Sequence, residues 1–166
     1  MRRLILLLIA GAIAAHAATV RTGDTVPDVT LPGRAGTPVS LAAMRGKVVC
    51  IEFWASWCPA CRAMLPALDQ VAHRLGGDDV AVLAIDIDDD RAAADRFLAE
   101  RLPDPAVRVL YDTGGAVMAR FGTSSMPAIY VVDRRGVVRL IADENTSDLV
   151  GIIERQVRAL VAEPTP

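Results

Sequence analysis

The sequence predicts an α/β fold: a mixed central sheet flanked by helices, with a β-hairpin ahead of it. Three observations carry this. Two apolar runs, one opening at Val48 (V-V-C-I-E-F) and one spanning Val80 to Ile85, are each followed by a helical pattern, as buried parallel strands are. Further on, Ala128 to Val132 and Val137 to Ile141 flank Asp133-Arg134-Arg135-Gly136 and read as an antiparallel hairpin. Upstream, Val26-Pro27-Asp28 and Leu31-Pro32-Gly33 punctuate a short extended segment, and Thr37-Pro38-Val39-Ser40-Leu41 reads as its return.

Taken in order, residues 18–26 are polar and are expected to be loosely ordered. Ser40 is placed to cap a short helical turn that ends before Gly46. The Val48 strand leads into Trp57-Cys58-Pro59-Ala60-Cys61, and Pro59 suits the first position of a helix, where its missing N–H is not needed. In that helix Met64, Leu68, Val71 and Leu75 recur at helical spacing as one buried face, Pro66 is expected to kink it, and Gly76-Gly77 ends it. After the Val80 strand, Asp86-Ile87-Asp88-Asp89-Asp90 reads as a solvated loop capping a helix with core positions Ala94, Phe97, Leu98 and Leu102. Pro103 and Pro105 close that unit. Val107 to Leu110 is a brief strand, and Val117, Met118 and Phe121 mark a short helix closed by Gly122. Asn145-Thr146-Ser147 can cap the last helix, with Leu149, Ile152, Ile153, Val157, Leu160 and Val161 inward; from Glu163 the chain is expected to fray.

The chain has 166 residues, one domain's worth, and about half of them are apolar, enough for one core. A formal charge of −2 makes no case for nucleic acid or an anionic surface as partner. Residues 1–17 read as a signal peptide: Arg2-Arg3, an apolar stretch from Leu4 to Ala15, then Ala15-His16-Ala17 as a cleavage pattern. The apolar stretch falls short of the ~20 residues of a membrane span, so an uncleaved anchor is the alternative. Residues 18–166 then form the domain. Cleavage removes Arg2 and Arg3 from the 18 basic side chains, against 20 acidic ones, and takes the charge to −4.

Cys58 and Cys61, two residues apart at a strand–helix junction, read as a redox dithiol. A helix start presents unpaired N–H groups and a partial positive charge, which stabilises a thiolate. Cys58 is therefore the more acidic cysteine and the attacking one, while Cys61, deeper in the first turn, resolves the mixed disulfide. Glu52 is a carboxylate inside an apolar strand, expensive unless paired or protonated. It is expected beneath the dithiol with a raised pKa, taking the proton of Cys61. Cys50, the third cysteine, shares the parity of Glu52 and reads as a small buried hydrophobe. Trp57 is expected to be partly exposed beside Cys58, and Trp54 to pack beneath the loop. A metal site is not indicated: the single cysteine pair lacks a second pair or histidines, and His73 is the one histidine outside the leader. The acidic run at Asp86 has Arg91 where a calcium loop needs glycine.

The run Glu52-Phe53-Trp54-Ala55-Ser56-Trp57-Cys58-Pro59-Ala60-Cys61 resembles the active-site segment of the thioredoxin superfamily. With P-D-V-T-L-P, G-T-P-V-S-L and R-G-K-V-V upstream, the chain is most similar to the redoxin-like TlpA/ResA-type exported thiol–disulfide oxidoreductases, over about residues 23–161. The resemblance implies a thioredoxin-like fold and a cis bond between Met126 and Pro127, with Pro127 facing the dithiol. It implies that Met126 and Pro127, with Trp57 and Pro59, meet the substrate protein, and that no organic cofactor is needed. Partners would be exported proteins with cysteines or disulfides, and a membrane thiol as electron donor. Met64 stands where many such chains carry glutamate, so a narrow role in cytochrome c maturation is not carried over. Reductase, oxidant or isomerase, and a binding module with a merely structural disulfide all remain open; the absence of histidine in Pro59-Ala60 favours the reductase.

Overall fold

The computed structural model describes residues 19–165; the expected leader and its Ala15-His16-Ala17 pattern lie outside them. A hairpin comes first, β1 (Thr30–Pro32) against β2 (Pro38–Ser40), antiparallel with Thr30 opposite Ser40. Five strands then form one sheet: β3 (Val48–Trp54), β4 (Val80–Asp86), β5 (Arg108–Tyr111), β6 (Ala128–Val132) and β7 (Val138–Asp143), in the order β5–β4–β3–β6–β7. The β3–β4 and β4–β5 pairs are parallel, and β3–β6 and β6–β7 are antiparallel. The helices are α1 (Pro59–Leu75), α2 (Arg91–Arg101), α3 (Ala116–Phe121) and α4 (Leu149–Ala162). This is the mixed sheet that the alternation of elements predicts.

β3 lies at the centre because all seven of its residues are buried. Its alternation divides the core in two. Cys50 and Trp54 face a cluster built with α1, α2 and α4, whereas Val49, Ile51 and Phe53 face α3, the hairpin and the N-terminal segment. On that second face Phe53, Phe121 and Tyr130 meet edge to face, with ring centroids 5.0 to 6.1 Å apart.

The structure departs from expectation at several points. The segment before the hairpin is not loose. Val20 and Val26 are buried, and the backbone of residues 20–26 bonds to Phe121, Gly136 and Val138, covering the start of the otherwise open edge of β7. Gly122 permits this: it adopts φ +68°, and a side chain there would meet the Thr19 backbone at 2.4 Å. In α1, which continues through Pro66, Leu68 and Val71 are fully buried as expected and Met64 and Leu75 are half-buried against the core, but Cys61 and Leu65 complete the fully buried face. Cys61 has to point inward, and that sets the phase of the helix. The short turn is a 3₁₀ helix, Ala42–Met44, that starts from Leu41 without a side-chain cap from Ser40. Nor do Asn145, Thr146 and Ser147 cap α4. Asp148 precedes it in the left-handed region at φ 49°, and the Thr146 hydroxyl instead accepts the Asp143 N–H at 3.2 Å. At the other end of the chain α4 stops at Ala162, and residues 163–165 after it are exposed. The guanidinium of Arg134, itself buried, donates to the carbonyls of Leu160, Val161 and Glu163, satisfying acceptors that a helix end leaves free.

The C-terminal ends of β3, β4 and β5 and the start of β6 share one edge of the sheet, with Trp54, Asp86, Tyr111 and Ala128 at their tips. Parallel sheets bind and react at this edge.

Candidate active site

Cys58 is the residue that starts α1. Its backbone is extended (φ −90°, ψ 107°), Pro59 follows as the first helical residue, and its sulfur accepts the Cys61 N–H at 3.2 Å. A sulfur thus stands where an aspartate or serine oxygen usually caps a helix, inside the field that favours its anion. Cys58 and Cys61 are joined in a disulfide, with S–S 2.09 Å and Cα–Cα 5.3 Å. Cys58 is 6% exposed and Cys61 not at all, so only the first sulfur offers a line of approach.

Glu52 is fully buried between Ala84 of β4 and Ile129 of β6, on the face of the sheet against which Cys61 and Leu65 pack. Neither of its carboxyl oxygens has a hydrogen-bond partner among the described residues. Burial pushes its pKa well above the ordinary carboxyl range. Cys50 is buried on the same face; burial first, and the Glu52 charge second, drive its thiol pKa far upward, so it stays an inert hydrophobe. Trp54 is sealed against Phe97, centroids 5.5 Å apart, and Trp57 is 62% exposed. The Met126–Pro127 bond is cis. Pro127 is buried and opens β6, and Met126, half-buried, packs against both halves of the core.

One set of residues was not foreseen. The acidic run after β4 is a cap only at Asp90, which accepts the Ala92 N–H; Asp89 and Asp90 are exposed, but Asp86 and Asp88 are 1% and 3% exposed. The solvated loop is corrected to a buried acidic pair. Asp88 accepts the Ser56 N–H at 2.8 Å and the Ser56 hydroxyl at 3.0 Å, tying down the loop that delivers Trp57 and Cys58. Its own N–H bonds Asp86 at 3.3 Å. Burial and the adjoining Asp88 carboxylate push Asp86 up to about 8, so it is protonated at neutral pH. The strand alternation carries this signal: Val82, Ala84 and Asp86 share one parity, so the first acid of the run belongs inside. Asp88→Ala is expected to cost about 1–3 kcal/mol in urea unfolding of the oxidised protein, since it leaves the Ser56 N–H without its acceptor. Asp88→Asn, which keeps one accepting oxygen, is expected to cost less.

Among the described residues no three of His, Cys, Asp and Glu group so as to hold a metal ion. The working group of the site is the sulfur pair, which can open by accepting two electrons and two protons from a dithiol and close by returning them.

Comparison with known proteins agrees with this chemistry. The Redoxin family profile matches residues 21–153. The thiol:disulfide interchange protein DsbE homolog of Paracoccus denitrificans is 31% identical over 149 residues, 86% of this chain and 78% of that protein. Thiol-disulfide oxidoreductase ResA of Bacillus cereus is 23% identical over 93% of this chain and 94% of its own length. Among solved structures, a Chlorobium tepidum protein provisionally assigned as thiol:disulfide interchange protein DsbE superposes with a TM-score of 0.79 at 30% identity, over 87% of this chain and 100% of that one. With the bonded Cys58–Cys61 pair at the start of α1, these matches establish that the chain belongs to the Redoxin family and is a thiol–disulfide oxidoreductase of the TlpA/ResA type.

Proposed function

We infer that this oxidoreductase works outside the cytoplasm as a reductase of protein disulfides, with residues 1–17 as its export signal and 18–166 as the working domain. The observation that carries the reading is the asymmetry of the sulfur pair: Cys58, the helix cap, keeps a small exposed face and Cys61, in the first turn, keeps none. In the reduced protein the Cys58 thiolate attacks one sulfur of a client disulfide. A mixed disulfide forms, and the second client sulfur leaves as a thiolate. Cys61 gives its proton to Glu52 in the ionised form of that carboxyl, which its raised pKa makes a stronger base, and attacks the Cys58 sulfur, forming the Cys58–Cys61 bond and releasing the client dithiol. The client gains two electrons and the protein loses two. A membrane thiol donor restores them by the reverse sequence, and Glu52 returns the proton to the departing Cys61. Trp57, Pro59, Met126 and Pro127 receive the client segment. The Met126 backbone is available for strand-like pairing with it.

The reductive direction is supported by the modest stabilisation of the Cys58 thiolate. Pro59-Ala60 places no histidine between the cysteines, and the hydrogen-bond donor to the Cys58 sulfur is the Cys61 N–H. The export reading is supported by the leader-like sequence and by a secreted Mycobacterium tuberculosis disulfide oxidoreductase, homologous to DsbE, that superposes with a TM-score of 0.69 at 26% identity over 80% of this chain and 96% of its own. Titration of the Cys58–Cys61 couple in a dithiothreitol buffer tests the direction. A potential nearer about −270 mV than about −120 mV is expected, and one close to about −120 mV overturns the reductase reading in favour of an oxidant.

A further inference from the structure

Beside the dithiol, on the flank where α1 meets α2, lies a pocket of about 290 Å³ lined by Pro59, Arg62, Ala63, Pro66, Phe97 and Arg101. Its aromatic wall is Phe97, and the Arg62 guanidinium lies 5.4 Å from the centre of that ring. Arg62 and Arg101 are both exposed, and neither has an ion-pair partner among the described residues. By contrast Arg91, a helix turn or more away on α2, is stacked on Tyr111 and bonded to Asp95. Two uncompensated cations thus converge on a small pocket in a chain that carries an excess of acidic side chains. The pocket opens at the first turn of α1, whose dipole adds to the same attraction for an anion.

The position of the pocket decides what can enter it. Pro59, its first lining residue, is the chain neighbour of Cys58. A polypeptide bonded through its own cysteine to Cys58 advances at about 3.3–3.6 Å per residue, so its side chains near that cysteine are the ones that reach the pocket. We propose that this pocket sets partner preference: it receives an aspartate or glutamate side chain within about three residues of the partner cysteine that bonds Cys58. This rests on the thiol–disulfide exchange inferred above and names the kind of protein segment with which that exchange is fastest. The chemical step is unchanged. A carboxylate docked between Arg62 and Arg101 holds the partner sulfur in place for attack by the Cys58 thiolate, and the partner's second sulfur leaves as before.

The test uses three disulfide-bridged peptides, identical but for aspartate, glutamine or lysine two residues from one cysteine, and the reduced full-length protein in each case. Exposed guanidinium–carboxylate pairs are individually weak, so the aspartate peptide is expected to react about three- to tenfold faster than the glutamine peptide at low salt. The ratio is expected to collapse towards one near 1 M salt, where screening reaches within about 3 Å. In the double variant Arg62→Gln/Arg101→Gln the ratio is expected near one at all salt concentrations, and Arg101→Glu should shift the preference towards the lysine peptide. A ratio of rates within one variant cancels any change that Arg62 makes to the acidity of Cys58. Equal rates in the unmodified protein, or a preference that survives in the double variant, overturn the pocket's role while leaving exchange intact. Absence of exchange with all three peptides overturns the exchange reading and the pocket's role with it.

Discussion

Replacing Cys61 with serine is expected to turn the protein into a trap for its partners. In the native site the mixed disulfide on Cys58 is attacked by a sulfur three residues away, which the oxidised pair shows can reach it. A well-placed intramolecular nucleophile acts at an effective concentration far above 1 M. With only an external thiol at about 1 mM left to resolve the adduct, release is expected to slow by at least about a thousandfold. Cys50 cannot stand in for the missing sulfur, because it is fully buried and its thiol is held protonated by burial and by the Glu52 charge. The expected result is a covalent adduct, visible by non-reducing electrophoresis and by mass spectrometry and dissolved by a reductant. Cys58→Ser is expected to give none, since Cys61 has no exposed surface. Adducts on the Cys58→Ser protein, or none on the Cys61→Ser protein, would reverse the assignment of attacking and resolving sulfurs.

The parts of this site that were legible in the sequence are those whose chemistry is local. Cys58 and Pro59 announce a helix start within two residues, because a cap and a proline at the first helical position answer the same geometric need. Glu52 is conspicuous because a charged side chain in V-V-C-I-E-F has no local reason to be there. Long-range pairings leave no such trace. Asp88 reaches back 32 residues to hold Ser56, and Arg134 reaches forward 26 to Leu160; in sequence each is one more charged residue in a turn. The N-terminal segment misleads for the same reason. Val20 and Val26 are isolated apolar residues in a polar stretch, and only Phe121 at the end of α3 and Gly136 in the turn before β7, far along the chain, give them something to pair with. Leu68 and Val71 of α1 are legible from spacing, but an apolar count weighs Met64 and Leu65 alike, whereas the requirement that Cys61 point inward selects Leu65. Met126–Pro127 required the family likeness, since nothing local distinguishes its cis bond from a trans one.

Substitution of Glu52 by glutamine is expected to flatten the pH dependence of stability and to slow the dithiol. The buried carboxyl keeps its proton in the folded protein well above the pH at which the unfolded chain has released it. Between those two points the folded state binds more protons than the unfolded state. Stability is therefore full below the ordinary carboxyl pKa and is lost as pH rises, by up to about 1.4 kcal/mol per pH unit while one proton separates the two states. Glutamine has no such proton. Its buried amide carries a desolvation cost of its own, but that cost is the same at every pH. The change in stability between pH 4 and pH 7, measured by denaturation of the oxidised protein, is therefore expected to be smaller in Glu52→Gln than in the native protein. It is not expected to vanish, because Asp86, raised to about 8 by burial and by Asp88, contributes a loss of the same sign. Resolution of the mixed disulfide, by contrast, is expected to slow by about a hundredfold at a pH where Glu52 is ionised, since Cys61 loses the base that accepts its proton. Glu52→Asp, which restores an ionisable carboxyl, is expected to recover part of that rate. An unchanged rate in Glu52→Gln with a flattened stability profile would make Glu52 a buried acid without a catalytic part. A slower rate with an unchanged profile would place the buried proton elsewhere. The combination expected here, a more pH-tolerant fold with a slower dithiol, follows from one carboxyl held in an apolar strand where it costs stability and serves the chemistry.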